Sequence, residues 1–222
     1  MIRWVHIDTA TVPDDGGELR LMRRGAEFSI MAGGIELMNS RLSGSEEALA
    51  DLACARIAGR PSPRMLIGGL GMGFTLRAAL AALGPDARVT VAELVPEVVA
   101  WARGPMAEVF AGCLDDPRVS THLGDVSEPI AVGGWDAILL DVDNGPEGLT
   151  RKANDRLYDA AGLAAARRAL TAGGVLAVWS SSPSRAFTQR LRQAGFAVEE
   201  VQARARGAKG GARHTIWLAV SP

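Results

Sequence analysis

The stretch Met65-Leu66-Ile67-Gly68-Gly69-Leu70-Gly71-Met72-Gly73-Phe74-Thr75 constrains the fold more than any other part of the chain. A short apolar run ends in glycines, and a helical pattern opens at Thr75. Glycines at alternate positions let the backbone turn sharply and come close to a ligand. The helix that follows turns its unpaired N–H groups toward the same place. Glu93 lies 20 residues beyond Gly73, at the end of the next predicted strand in Val91-Ala92-Glu93-Leu94. A carboxylate there can accept two hydrogen bonds from a ribose diol. Each feature alone has a plain alternative, a tight turn for the loop and a solvated acid for Glu93. Together they point to a nucleoside-cofactor site in which Gly69, Gly71, Gly73 and Glu93 are the binding residues.

The rest of the chain continues the same alternation. Strands are predicted at Arg64 to Ile67, Arg88 to Ala92, Val119 to His122, Trp135 to Leu140 and Val175 to Ser180. Helices are predicted over Thr75 to Leu83, Pro96 to Val109, Asp155 to Leu170 and Pro183 to Ala194. Strands alternating with helices specify an α/β, doubly wound, mostly parallel sheet, with helices on both faces. Phe196 to Val201 and His214 to Val220 have no helix between them, so the last strand should run antiparallel. Before Ser43-Gly44-Ser45-Glu46, a capping-box pattern that opens a helix, residues 1–42 read as short strands and turns. Two units are expected, a small N-terminal β module over 1–42 and an α/β domain over 43–222.

Composition excludes some classes. The 24 Lys and Arg stand against 25 Asp and Glu, leaving a formal net charge of −1. A dedicated nucleic-acid binder needs a basic excess, so no nucleic-acid partner is expected. Two cysteines cannot make a disulfide framework and suit a reducing cytoplasm. No cationic and apolar leader and no apolar run near 18 residues is present, so neither secretion nor a membrane partner is expected. His6, His122 and His214 are far apart, and no metal site is expected.

Further acids lie where α/β sheets bind ligands, at the carboxyl ends of strands. Gly124-Asp125 follows the third strand, and Asp125 can accept from an adenine amino group. The fourth strand ends in Asp141-Val142-Asp143-Asn144-Gly145-Pro146. Asp141 and Asp143 can hold a cationic amine and take its proton, and a carboxyl at the mouth of an apolar strand gains the raised proton affinity of a base. The same residue types also form ordinary Asx-turns. Trp179-Ser180-Ser181-Ser182-Pro183 ends the fifth strand and reads equally as a substrate contact or a helix cap. Arg204, Arg206, Lys209 and Arg213 lie in a glycine-rich hairpin that reads as a solvated loop.

These motifs resemble the spermidine/spermine synthase family, the polyamine aminopropyltransferases. The family's glycine loop runs roughly Ile-Gly-Gly-Gly-Asp-Gly-Gly-Thr-Leu-Arg, and Ile67-Gly68-Gly69 and Thr75-Leu76-Arg77 match its ends. Its Val-Glu-Ile-Asp is similar to Val91 to Leu94. Its Asp-Ser-Ser-Asp-Pro-x-Gly-Pro resembles Asp141 to Pro146, which is two residues shorter. The chain departs from the pattern at the loop acid, which in the family helps hold the amino end of the decarboxylated cofactor. Met72 lies in its neighbourhood. The family's Tyr-His-Glu is absent, and Ser45-Glu46-Glu47 stands near its place.

The resemblance implies a seven-stranded methyltransferase-like (Rossmann-like) sheet preceded by a small β domain. It implies transfer of an aminopropyl group from decarboxylated S-adenosylmethionine to a small-molecule amine, and a homodimer. Glu93 would hold the ribose, Gly124 and Asp125 the adenine, and Asp141 with Asp143 the attacking amine. The missing loop acid keeps two alternatives open. One is a methyltransferase using S-adenosylmethionine itself on another small acceptor, the other a non-catalytic nucleoside-binding relative.

Overall fold

A computed structural model of the chain describes residues 2–13, 17–142, 145–146 and 154–222, apart from the side chain of residue 209. Its N-terminal part is a four-stranded antiparallel meander, β1 (Val5–Thr11), β2 (Glu18–Arg24), β3 (Glu27–Ala32) and β4 (Ile35–Asn39). Gly25-Ala26 and Gly33-Gly34 make the tight turns, with Gly25 and Gly33 in left-handed conformations. Phe28 and Ile30 of β3 and Leu21 of β2 bury one face of this sheet. Trp101 Nε1 donates to Asp8 Oδ2 at 2.7 Å, tying β1 to the α/β part.

Helix α1 (Gly44–Arg56) leads into the α/β part. There follow β5 (Arg64–Gly68), α2 (Phe74–Ala82), β6 (Arg88–Glu93), α3 (Pro96–Arg103), α4 (Ala107–Phe110), β7 (Val119–Leu123) and α5 (Ser127–Val132). The chain continues through β8 (Trp135–Leu140), α6 (Asp155–Tyr158), α7 (Ala160–Ala169), β9 (Leu170–Ser180), α8 (Arg185–Gln193), β10 (Ala197–Arg204) and β11 (Arg213–Val220). The seven strands order as β10-β11-β9-β8-β5-β6-β7. β5, β6, β7, β8 and β9 pair in parallel, and β11 runs antiparallel to both β9 and β10. The expected doubly wound sheet with its antiparallel ending is therefore present.

β5 and β8 are central, and their apolar runs Met65–Ile67 and Ala137–Leu140 are buried on both faces. One layer packs α1 and α2 against Ile67, Leu139 and Ala177; the other packs α7 and α8 against Leu66, Ile138 and Trp217. The order reverses at β5, whose neighbours are β6 on one side and β8 on the other. The crevice at their carboxyl ends is the expected ligand position.

Several elements differ from the expectation. The helix expected from Pro96 to Val109 stops at Arg103, with Gly104 as its C-terminal flank. The helix expected from Asp155 to Leu170 breaks at Asp159, whose carboxylate accepts from Gly162 N at 2.8 Å and starts α7 afresh. β9 begins at Leu170, not Val175, directly where α7 ends. β1 and α5 carry no strong periodic signal and were not expected as separate elements. The predicted capping box is not made: Ser43 flanks α1 without a side-chain cap, and Ser45 turns elsewhere.

Candidate functional site

The glycine loop is held between two strands. Gly69 N donates to the Ala92 carbonyl and Asp141 N to the Gly68 carbonyl, both at 2.9 Å. Gly69 has φ +90, and a Cβ on it would run into the Asp141 carbonyl oxygen. Only glycine lets the loop pass this close to the end of β8. Gly71 has φ +52, and a side chain there would meet the Met38 thioether of β4 at 3.0 Å. Gly73 has φ +76 and directly precedes α2, with the Phe110 ring where a Cβ would go. Met72 is buried in the apolar core, so an apolar side chain stands in the neighbourhood where the resembling loop has its acid. Arg77 turns away and donates to the Val109 carbonyl.

A cavity of about 230 Å³ opens over this loop. Gly69, Gly71, Glu93, Gly124, Asp125 and Asp141 all line it, and Leu19, Ile30 and Met38 of the N-terminal sheet form its opposite wall. Of the sequence-derived binding residues, Gly73 alone stays outside the lining, because it faces Phe110.

Glu93 is buried, and both its oxygens are anchored. Oε2 accepts from Leu70 N and Oε1 from Val95 N, each at 2.9 Å. Burial pushes its carboxyl above the usual range, against the pull of the Val95 and Leu70 N–H groups. Glu93 also lines the cavity, where a carboxylate can accept further hydrogen bonds. Gly124 N donates to the Glu93 carbonyl, which fixes the rims of β6 and β7 together.

Asp125 accepts from Ser127 N at 2.9 Å and from Arg156. Burial acts to raise its carboxyl, but the bonds from Ser127 and Arg156 outweigh it, so Asp125 lies below the ordinary value. It is an anion at neutral pH.

Asp141 behaves oppositely. Burial and then the charge of Glu46 push its carboxyl up to about 7, while the Thr75 hydroxyl, donating to Oδ2 at 2.8 Å, pulls the other way. A carboxyl poised there takes or gives a proton near neutral pH. Glu46 is itself raised, first by burial, while the Ser45 hydroxyl lowers it. Asp143 and Asn144 lie outside the described residues. Gly145 and Pro146 are buried beside them, with Gly145 (φ +93) packed against Ser180.

Glu46 and Thr75 act on Asp141, and His214 reaches Glu46 through Ser45; none of the three was expected there. Glu46 was legible as a residue opening a helix and as part of the Ser45-Glu46-Glu47 that stands near the place of the resembling family's Tyr-His-Glu, not as a neighbour of Asp141. Of the serines after β9, Ser184 caps α8 by accepting from Phe187 N, and Ser180 bonds the Ser182 carbonyl. Among the described residues no group of three or more His, Cys, Asp and Glu could hold a metal ion, and no helix is long and apolar enough to cross a membrane.

No family model matches the chain. The polyamine aminopropyltransferase of Mycobacterium tuberculosis (strain CDC 1551 / Oshkosh) is 33% identical over 145 residues, 60% of this chain and 27% of that one. The polyamine aminopropyltransferase of Nitrosomonas europaea is 37% identical over 98 residues, 43% of this chain and 29% of that one. The chain thus spans under a third of the length of these curated relatives. Among solved structures, the spermidine synthase of Thermotoga maritima superposes with a TM-score of 0.77 at 17% identity, covering 98% of this chain and 73% of that one. A spermidine synthase in complex with the transition-state analogue AdoDATO gives 0.75 at 17% identity, covering 98% and 72%. The O-methyltransferase TomG of Streptomyces achromogenes, in complex with SAM, gives 0.56 at 18% identity, covering 80% and 79%. Over its matched part the chain is similar in sequence to these polyamine aminopropyltransferases, and over nearly its whole length it has the fold of the solved spermidine synthases.

Proposed function

We propose that the chain is a transferase that moves an aminopropyl group from decarboxylated S-adenosylmethionine to a small amine. One observation carries this most: Asp141, poised near neutral pH, faces the same cavity as Glu93 and Asp125. The curated relatives' name and the fold neighbour bound to AdoDATO support it. The residues fit such a donor. Glu93, fixed by two backbone N–H groups, has acceptor capacity for a ribose diol. Gly124 and Asp125, which line the same cavity, are assigned to the nucleobase, and Gly69 and Gly71 leave room beside the loop.

The donor, when bound, supplies a carbon already activated by a sulfonium. The chain then has to orient an amine and remove its proton. Asp141 accepts that proton as the N–C bond forms and the C–S bond breaks, and a neutral thioether leaves. Asp143 is assigned to help orient the amine. The same proposal places the protein in the cytoplasm as a homodimer, with Val5, Ile7 and Ile35, exposed apolar residues of the N-terminal sheet, available for its contact. The 1–42 and 43–222 division is kept as the working domain boundary.

Met72 in the loop favours one competing reading, a methyltransferase that takes the carboxylated cofactor. Isothermal titration with S-adenosylmethionine, its decarboxylated form and methylthioadenosine, side by side, separates the two. Tighter binding of the decarboxylated form, with turnover on putrescine or a related diamine, is the expected result. Preference for S-adenosylmethionine would replace aminopropyl transfer with methyl transfer. Binding of none would remove both.

A further inference from the structure

Near Asp141, β11 is linked through Ser45 to the Glu46 carboxylate, and Thr75 bonds Asp141 separately. Ser45 is fully buried at the start of α1, and its hydroxyl donates to Glu46 Oε2 at 2.7 Å. His214 Nδ1, at the start of β11, lies 2.8 Å from the same hydroxyl. Ser45 has one proton, and an ionised carboxylate can only accept. With that proton committed to Glu46, Oγ must accept from His214, which sets the Nδ1–H tautomer. Burial holds the His214 ring below its ordinary value, so it stays neutral at physiological pH and donates without adding charge. The Trp179 ring packs edge-on against it, centroids 4.8 Å apart.

The backbone makes this contact obligatory. Gly44 N donates to the Ala205 carbonyl at 3.0 Å, and a Cβ on Gly44 would collide with the Gly207 backbone. The first turn of α1 is therefore pressed onto the β10–β11 hairpin, which brings Ser45 to His214. On the other side, Thr75 Oγ1 is 2.8 Å from Asp141 Oδ2 and 3.4 Å from the Glu46 carbonyl oxygen. With its one proton on Asp141, Thr75 ties the first turn of α2 to the end of β8, and the Glu46 carbonyl lies close by.

We propose that His214 and Ser45 are positioning residues for the Asp141 base: they hold the Glu46 side chain as a fixed anion beside it. The assignment of Asp141 as base rests on the proposed function. The coupling itself does not, and it is measurable without turnover. An anion held beside a carboxyl makes that carboxyl a stronger base, and here the anion comes from α1, not from the glycine loop. The other charges on elements packed around the pair are Glu47 on α1, which acts on Glu46, and Arg204, Arg206 and Arg213 on the hairpin, which are exposed. Arg77 on α2 is engaged with the Val109 carbonyl.

The test is a ¹³C NMR titration of the Asp and Glu side-chain carboxyls in the ligand-free protein. The parent is compared with Glu46→Gln, Ser45→Ala, His214→Leu and His214→Asn. Glu46→Gln should move the Asp141 midpoint down by about one pH unit, the scale of a close like charge. Ser45→Ala and His214→Leu should move it down by a smaller amount while the Glu46 midpoint rises. His214→Asn, which keeps an N–H donor, should restore most of the parent value. Amide spectra check that each variant folds. The proposal is overturned if folded His214→Leu and Ser45→Ala both leave the Asp141 and Glu46 midpoints in place. It is equally overturned if His214→Asn behaves like His214→Leu. Failure of the transferase reading is visible separately, as absence of turnover in a parent protein whose carboxyls shift as described.

Discussion

Asp141 carries two opposite demands that one substitution separates. As the proton acceptor it is worth roughly 10²–10⁴ in rate. Asp141→Asn should therefore lose that much in kcat while leaving methylthioadenosine affinity within a few-fold, as read by steady-state kinetics and calorimetry. The rate of the parent should rise with pH through about 7, as Asp141 ionises. The same raised value is a stability statement. A carboxyl whose folded value lies above its unfolded one contributes fully at low pH, and that contribution is lost as pH climbs toward 7. Asp141→Asn should accordingly be more stable than the parent at pH 8, by about 1–3 kcal/mol, and lose this advantage near pH 4, as urea titrations at the two values would show. Glu93 is also raised by burial, but its carboxylate satisfies two buried N–H groups that its removal would leave unpaired. Glu93→Ala should cost about 2–5 kcal/mol and abolish nucleoside binding, by denaturation and calorimetry on the same sample. Asp141 and Glu93 were legible in the sequence because strand ends mark themselves with acids after apolar runs. Glu46 and His214 were not. Ser45 and His214 are 169 positions apart, and only the strand order, with β11 inserted between β9 and β10, brings them together.

At the scale of elements, the alternation of strands and helices was readable because central parallel strands are apolar throughout and glycines punctuate them. Where helices end was less readable. The Asp155 to Leu170 run is helical in composition from end to end, yet Asp159 satisfies the N–H of Gly162 and so restarts the helix. That local competition for a donor has no counterpart in hydrophobic spacing. The glycine loop shows the strongest element-level constraint. Gly69→Ala places a Cβ both in a left-handed conformation and against the Asp141 carbonyl. It should cost at least about 2 kcal/mol and pull the loop off the end of β8. A fall in melting temperature together with faster amide exchange at Gly69 and Asp141, whose N–H groups bond across to β6 and β5, would show it. Unchanged exchange at both would mean the loop has another way to sit.

Across the whole molecule, the cavity belongs to neither sheet alone. Its floor is the carboxyl rim of the parallel sheet, and its other wall is Leu19, Ile30 and Met38 of the meander. The chain shortened to residues 43–222 should therefore bind methylthioadenosine at least about tenfold more weakly, the effect of losing one apolar wall. Calorimetry on the shortened and full chains tests this, and equal affinities would assign the whole of the binding to the parallel sheet. The shared wall also makes a bound nucleoside behave as mortar. It fills apolar space that each layer leaves half-finished, so occupancy strengthens the seam between them by mass action. An empty protein should open at that seam before the rest unravels, and a loaded one should melt in a single step. Any change that loosens the meander, even far from the acids, is then felt as weaker ligand binding.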